Sequence, residues 1–361
     1  MNDEVLYLTA LKYCQNIGDL TIKRLVSKFG SAKKVWNAPQ SELLSLFRIG
    51  EQTVKFIGDE NLMKKAENTL IYCADNGIFL THFFSENYPA LLKECSDAPM
   101  LLYYKGNFTW DTPSVSIVGT RNMTSYGKNF TENLVECLKE KGITVISGLA
   151  QGIDGTAHKK AVELSIPTIG VLAHGLKIIY PYQHKPLANE MLKNGGIVSE
   201  FSLDTKPDRY NFIQRNRIIA GLSPVTVIAE SAYGGGAITT VKFANSYDRE
   251  VFALAGKITD KYSQGCNMLI KNLEARIITR PEDVLEYFGE KTKKAPQMQI
   301  FIDLNESEIK IVNFLKEKGK SQIDILAMEL NQPTFQLMPL LLELELKNIV
   351  KPLPGKFFEL L

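Results

Sequence analysis

Three observations predict an α/β protein built on a Rossmann-like, doubly wound, mainly parallel sheet. From about 114 to 288, short apolar runs alternate with stretches of helical period, the pattern of a parallel sheet with helices on both faces. Runs such as Val115–Val118 and Val225–Ala229 are apolar throughout, as befits strands covered on both sides. Several runs end directly in a glycine-containing turn that feeds a helix, and the carboxyl ends of such strands are where these sheets bind ligands.

Residues 1–75 read as a helical module. Val5, Leu8 and Leu11 recur on one helical face, followed by the turn Ile17-Gly18-Asp19 with a helix over Ile22–Phe29, and by Ile49-Gly50-Glu51 with a helix over Thr53–Ile57. These two pieces resemble the helix-hairpin-helix units of a SAM-like module, a motif compatible both with DNA contact through Lys23, Arg24 and Lys28 and with simple packing. From 76 the chain enters the sheet domain, 76–288. Ile78–Thr81 and Leu101–Tyr104 form an edge extension, with a short helix beginning at Tyr88-Pro89.

The central strands are expected at Val115–Val118, Thr144–Ser147, Thr168–Leu172, Ile197–Ser199, Val225–Ala229, Val251–Leu254 and Arg276–Ile278. The helices between and after them cover Tyr126–Lys141, Thr156–Leu164, Lys185–Leu192, Phe212–Ala220, Ile238–Tyr247 and Pro281–Tyr287. Residues 289–298 are polar, basic and contain Pro296, so they read as a linker. Over 299–361, helices at Ser307–Lys318, Gln322–Glu329 and Phe335–Lys347 precede a hairpin around Pro354-Gly355, the order of a small winged-helix domain. Its third helix is mostly Leu and Glu, with Lys347 its one basic residue. A groove-reading helix offers Arg, Lys, Asn or Gln, so this domain leans toward protein contact or packing.

With 361 residues and a net charge of +2, the chain is not a bulk polycation, and a nucleic-acid site has to be local. Five scattered cysteines without a C-x-x-C pair argue for reduced thiols. The absence of a basic-then-apolar leader and of a bilayer-length apolar run predicts a cytoplasmic protein with no membrane attachment.

The chemistry concentrates at strand ends. Gly119-Thr120-Arg121 turns from a strand toward a helix, where free amides and a bidentate Arg suit a phosphate. Ser147-Gly148 through Gly152 forms a second glycine turn, with Asp154 placed to cap the following helix. Gly235 and Gly236 open a third, on a helix bearing Lys242, and Lys177 lies in the loop leading to Tyr180-Pro181. The segment 209–217 combines Arg209, Arg215 and Arg217 with Tyr210, Phe212 and Asn216, cations for phosphates and π-faces for bases. The spacing of these glycines is not G-x-G-x-x-G, and no nucleophile–base pair or metal-ligand spacing is present, so neither cofactor nor catalysis is expected.

These residues resemble the DprA/Smf family (DNA-processing protein A). The likeness is carried by Tyr88-Pro89, Gly119-Thr120-Arg121, Ser147–Asp154, Tyr180-Pro181, Ser199-Glu200, Arg215–Ser223 and Gly265–Ile270. It implies a non-catalytic protein that binds single-stranded DNA, protects incoming DNA, and loads the RecA recombinase during natural transformation or recombination. It further implies dimerisation through the sheet domain, and a DNA pocket at Gly119, Thr120, Arg121, Arg209 and Phe212. The chain departs from the family pattern at His184, where Asn is usual, at Gly234-Gly235 for Ser-Gly, and at Ala255-Gly256 for Pro-Gly. The competing reading is a Rossmann-like enzyme that binds or hydrolyses a nucleotide at the loop Tyr233–Thr240, which needs a general acid such as Glu200 or Glu230.

Overall fold

The computed structural model describes residues 3–46, 49–289, 304–347 and 349–360. It divides into two compact units, Met1–Lys291 and Thr292–Leu361.

The first unit opens with helices α1 (Asp3–Tyr13), α2 (Asp19–Phe29), α3 (Ala32–Trp36), α4 (Gln40–Leu44), α5 (Glu51–Val54) and α6 (Glu60–Asp75). Gly18 and Gly50 are the extended N-caps of α2 and α5, and Gly30, at φ 88°, ends α2 in the left-handed conformation that glycine adopts without strain. Leu8, Leu11, Ile22, Leu25 and Trp36 share one core with Met100 and Leu101 of the sheet domain. Residues 1–75 and the sheet therefore belong to the same compact unit.

Strand β1 (Phe79–His82), helix α7 (Ala90–Glu94) and β2 (Leu101–Asn107) lead into β3 (Ser114–Val118), α8 (Ser125–Leu138), β4 (Thr144–Ser147), α9 (Ile153–Glu163) and β5 (Thr168–Val171). Then come α10 (Lys185–Met191), β6 (Gly195–Ser199), α11 (Arg209–Gly221), β7 (Val225–Ile228), α12 (Gly236–Ser246), β8 (Glu250–Leu254), α13 (Gln264–Lys271), β9 (Arg276–Ile278) and α14 (Asp283–Tyr287). The strands form one sheet in the order β1-β2-β6-β5-β4-β3-β7-β8-β9. Pairing is parallel from β6 to β9, while β1 and β2 add antiparallel at one edge. Strand β3 is central, with Val115 opposite Val145 of β4 on one side and Val225 of β7 on the other.

Alternate residues of β3 face opposite layers. Val115 and Ile117 join Leu134, Ala157 and Val227 in one core, and Val118 joins Ile146, Ile219 and Val241 in the other. Ser116, on the second face, is fully buried; its hydroxyl donates to the Ile219 carbonyl at 2.7 Å, and Ser114 donates to Leu222. The C-terminal carbonyls of α11, which lack intrahelical partners, are thus stapled to β3. From β3 the chain builds toward β6 and then crosses back to β7, so the topological switch lies between β3 and β7.

Several helices begin earlier than the apolar period indicates. Helix α11 starts at Arg209 because the Asp208 carboxylate accepts from the Tyr210 amide at 2.8 Å. Helix α9 starts at Ile153, which overturns the capping role expected of Asp154. That side chain is buried and accepts from the Gly148 amide at 3.1 Å.

The second unit contains α15 (Glu306–Lys318), β10 (Ser321–Gln322), α16 (Ile323–Glu329), α17 (Thr334–Leu346), β11 (Val350–Leu353) and β12 (Phe357–Leu360), with strand order β10-β12-β11. Asn305 and Glu308 form a reciprocal capping box on α15. Ile311, Leu315, Leu326, Leu337, Leu341, Leu344 and Phe358 make its core. The short β10, which pairs with β12, was not expected from the sequence. The linker at 289–298 lies outside the described residues apart from Gly289. Among the described residues no helix is long and apolar enough to cross a membrane.

His158 makes the fold pH-dependent. It is fully buried on α9, 2.7 Å from the Thr168 hydroxyl, and burial, helped by the nearby charges of His184 and Arg215, holds its pKa down to about 3. The unfolded imidazole takes up a proton near pH 6.5 while the folded one does not, so stability falls as pH drops below that value. Between pH 7 and pH 5 the wild type should lose about 2 kcal/mol more than His158→Gln in parallel urea titrations; equal losses would refute this.

Candidate functional site

At the switch, a cleft of about 820 Å³ opens at the carboxyl ends of β3 and β7. The turn after β3 supplies Gly119, Thr120, Arg121 and Asn122, α11 supplies Arg209, Phe212 and Asn216, and the cap and first turn of α12 supply Gly235, Gly236 and Thr239. A Cβ on Gly119 would lie 2.5 Å from the Ile153 side chain, so the turn approaches α9 more closely than a side chain permits.

The cleft's chemistry is cationic and aromatic. The Arg121 guanidinium lies 5.3 Å from the centre of the Phe212 ring, and the exposed Tyr180 ring is 5.8 Å from Phe212 on a tilted plane. Arg121 and Arg209 are both exposed, and neither enters an ion pair among the described residues. Helix α12 begins at Gly235 and Gly236 without a side-chain cap, and a Cβ at Gly236 would meet nothing within 4 Å. This helix end faces the cleft open.

The anion cradle expected at the first turn is different in detail. The Thr120 amide donates to the Glu230 carbonyl at 2.7 Å, and the Asn122 amide donates to the Thr120 hydroxyl. Thr124 caps α8, and its own amide donates to the buried Glu230 carboxylate at 2.8 Å. The turn therefore presents the Arg121 side chain rather than bare amides. Glu230 accepts from Thr124 on both carboxylate oxygens, and Glu200 is paired with Arg217 at 2.5 Å.

Arg215, expected to contact a ligand, has a different role. It is 4% exposed, and its Nη1 donates to the Gly148 carbonyl at 2.6 Å and to the Val171 carbonyl. Burial draws its pKa down to about 10, against the opposing pull of Asp154, so it stays charged near neutrality. Burial in turn raises the pKa of Asp154, with Arg215 opposing. Arg215 forms the floor of the cleft as a bolt between strand ends.

Other expected site residues are also reassigned. Ser147 is fully buried and donates to the Ile117 carbonyl, and a Cβ on Gly148 would collide with the Arg215 guanidinium at 2.5 Å. Gly152, at φ +79°, packs against the main chain of Thr120 and Arg121. These three shape the cleft from behind. Lys177 pairs with Asp204 at 2.8 Å beside the Tyr72 ring, and exposed Lys242 is not on the cleft wall. Lys23, expected on a DNA-facing helix, points at the Phe83 ring from 3.8 Å. Tyr180 and Thr239 line the cleft from two loops already read as candidate contacts, the Tyr-Pro loop and the turn Tyr233–Thr240, and Asn122 lines it without having been singled out. The one signal for Asn122 in the sequence is its adjacency to a glycine turn.

Residues 79–289 match the family model described as DNA recombination-mediator protein A. Protein Smf of Escherichia coli is 36% identical over 305 residues, 82% of this chain and 81% of that protein. The X-ray structure of DNA processing protein A from Streptococcus pneumoniae superposes with a TM-score of 0.63 at 28% identity, covering 78% of this chain and 97% of that one. The Helicobacter pylori protein, whose structure is described as giving insight into its unique single-stranded DNA binding mode, superposes with a TM-score of 0.53 at 30% identity, covering 58% and 95%.

The two kinds of arginine are separable by experiment. Arg215→Met should lower the unfolding free energy by about 3 kcal/mol, since it removes charged hydrogen bonds and leaves strand-end carbonyls without a donor. Arg121→Glu and Arg209→Glu should each stay within about 0.5 kcal/mol of wild type. Urea midpoints measured side by side check this.

Proposed function

Because this chain belongs to the family of DNA recombination-mediator protein A, we propose that its switch-point cleft binds single-stranded DNA. The observation that carries the reading is the placement of Arg121 against Phe212, with Tyr180 beside it and Arg209 on the same cleft. The guanidinium groups neutralise phosphates while the rings stack unpaired bases, which is how single strands are held without reading their sequence. A duplex keeps its bases stacked inside and gains only the charge contacts. The single-strand binding described for the Helicobacter pylori relative supports the same assignment.

The protein acts without catalysis, protecting incoming strands and loading a RecA recombinase onto them, as a homodimer through the sheet domain. The engagement of Glu200 by Arg217 and of Glu230 by Thr124 speaks against the nucleotide-hydrolysing alternative, for which these were the candidate acids. Release of base from a nucleoside monophosphate by the pure protein would revive it.

In fluorescence-anisotropy titrations with an oligothymidylate, Arg121→Glu should abolish binding at moderate salt. Arg121→Ala should reduce the slope of log K against log salt by about 0.7, the loss of one phosphate contact. Phe212→Ala should cost about 1–3 kcal/mol, the worth of one stacked base. Unchanged affinity for all three would exclude the cleft as the DNA site.

A further inference from the structure

The second unit carries a surface that the DNA-binding reading does not use. On α17 the residues Leu337, Leu341 and Leu344 are buried in the core. At 100° per residue, Phe335, Leu342 and Leu346 fall on the opposite side of the same helix, with Met338 at its edge. All four are exposed, Phe335 at 73% and Leu346 at 76%. An outward stripe of large apolar side chains, along a helix whose inner face already fills a core, is more than scattered surface hydrophobicity and marks an interaction site. On the adjoining α16, Met328 is exposed at 82%.

Charge selects the occupant. The segment 323–346, which spans α16 and α17, contains Asp324, Glu329, Glu343 and Glu345 and no Lys, Arg or His. On the helical wheel Glu343 and Glu345 lie on either edge of the apolar stripe. Such a face repels a phosphate backbone, and it offers bases none of the donors a recognition helix uses. A second copy would bring glutamates against glutamates. One helix face about 20 Å long also covers only about half of the ~800 Å² per partner of a standard interface, too little for a stable dimer. A short amphipathic helix meets both conditions, with apolar anchors at i, i+3 or i+4 and i+7 and Lys or Arg on its flanks. We propose that the outer face of α17 is a docking site for a basic amphipathic helix of a partner protein. The DNA cleft and this docking face are then independent sites of one mediator.

The probe is a fluorescein-labelled peptide of Leu and Lys in that register, titrated with the full-length protein; an isomer of scrambled register and a Leu–Glu version are controls. Saturable binding of the Leu–Lys peptide alone is expected, weakened roughly tenfold or more by Leu342→Ala or Phe335→Ala. Glu343→Lys with Glu345→Lys should weaken it further and remove its salt dependence. Oligothymidylate affinity should be the same in every variant, and an unchanged helical circular-dichroism signal certifies that each is folded. The proposal fails if the peptide does not bind, or binds all variants equally. It also fails if Leu342→Asp instead lowers the sedimentation mass, which would make the face a self-association surface, or abolishes a duplex-DNA shift, which would make it a DNA reader.

Discussion

The switch edge of the sheet depends on a buried guanidinium. Arg215 enters from α11 beneath the cleft and donates to the carbonyls of Gly148 and Val171, just beyond β4 and at the end of β5. Placing a charge there carries a desolvation cost that carbonyl acceptors and the nearby Asp154 offset. In return three segments are tied together where no regular hydrogen-bond ladder joins them. The staple from Ser114 and Ser116 fixes the C-terminal end of α11 to β3. A helix pinned at its middle and its C-terminal end holds Arg209 and Phe212 opposite the turn that carries Arg121.

Three arginines within nine residues show how one residue type is put to three uses. Arg209 is exposed at the mouth of the cleft, Arg215 is buried under it, and Arg217 is paired with Glu200 at 2.5 Å, near Asp97. Helical rotation alone separates them, since residues two and six positions apart leave a helix in different directions. The exposed one enters no ion pair among the described residues, and the other two are consumed in holding the helix to the rest of the unit. The glycines divide in the same way. Gly236 leaves a helix end open to the cleft, whereas Gly148, Gly152 and Gly235 make room for neighbouring atoms.

The contrast between units follows from what each helix faces. The cleft of the first unit exposes cations and aromatic rings; of its carboxylates, Asp154 is buried and exposed Asp208 is engaged as the cap of α11. Helices α16 and α17 of the second unit carry carboxylates and apolar side chains on their exposed surface. A weak net charge of +2 for the whole chain conceals this segregation.

By itself the sequence determined the architecture. Apolar runs such as Val115–Val118 and Val225–Ala229 locate parallel strands because a strand covered on both faces has no polar positions to spare. The glycine turns after them mark the ligand-binding edge because parallel strands place all their carboxyl ends together. Arg121, Arg209 and Phe212 were legible as cleft residues on that basis, and the family likeness agreed. What only the tertiary structure decided was commitment. Arg215 and Ser147 look as available as Arg121 until burial and carbonyl partners are known, and Lys177 looks uncommitted until Asp204 and Tyr72 are found beside it. Asp154 reads as a cap until α9 proves to start before it. A hydrogen-bond partner far along the chain leaves no trace in local period or spacing, and such partners separate the residues that hold the cleft together from those left exposed on it.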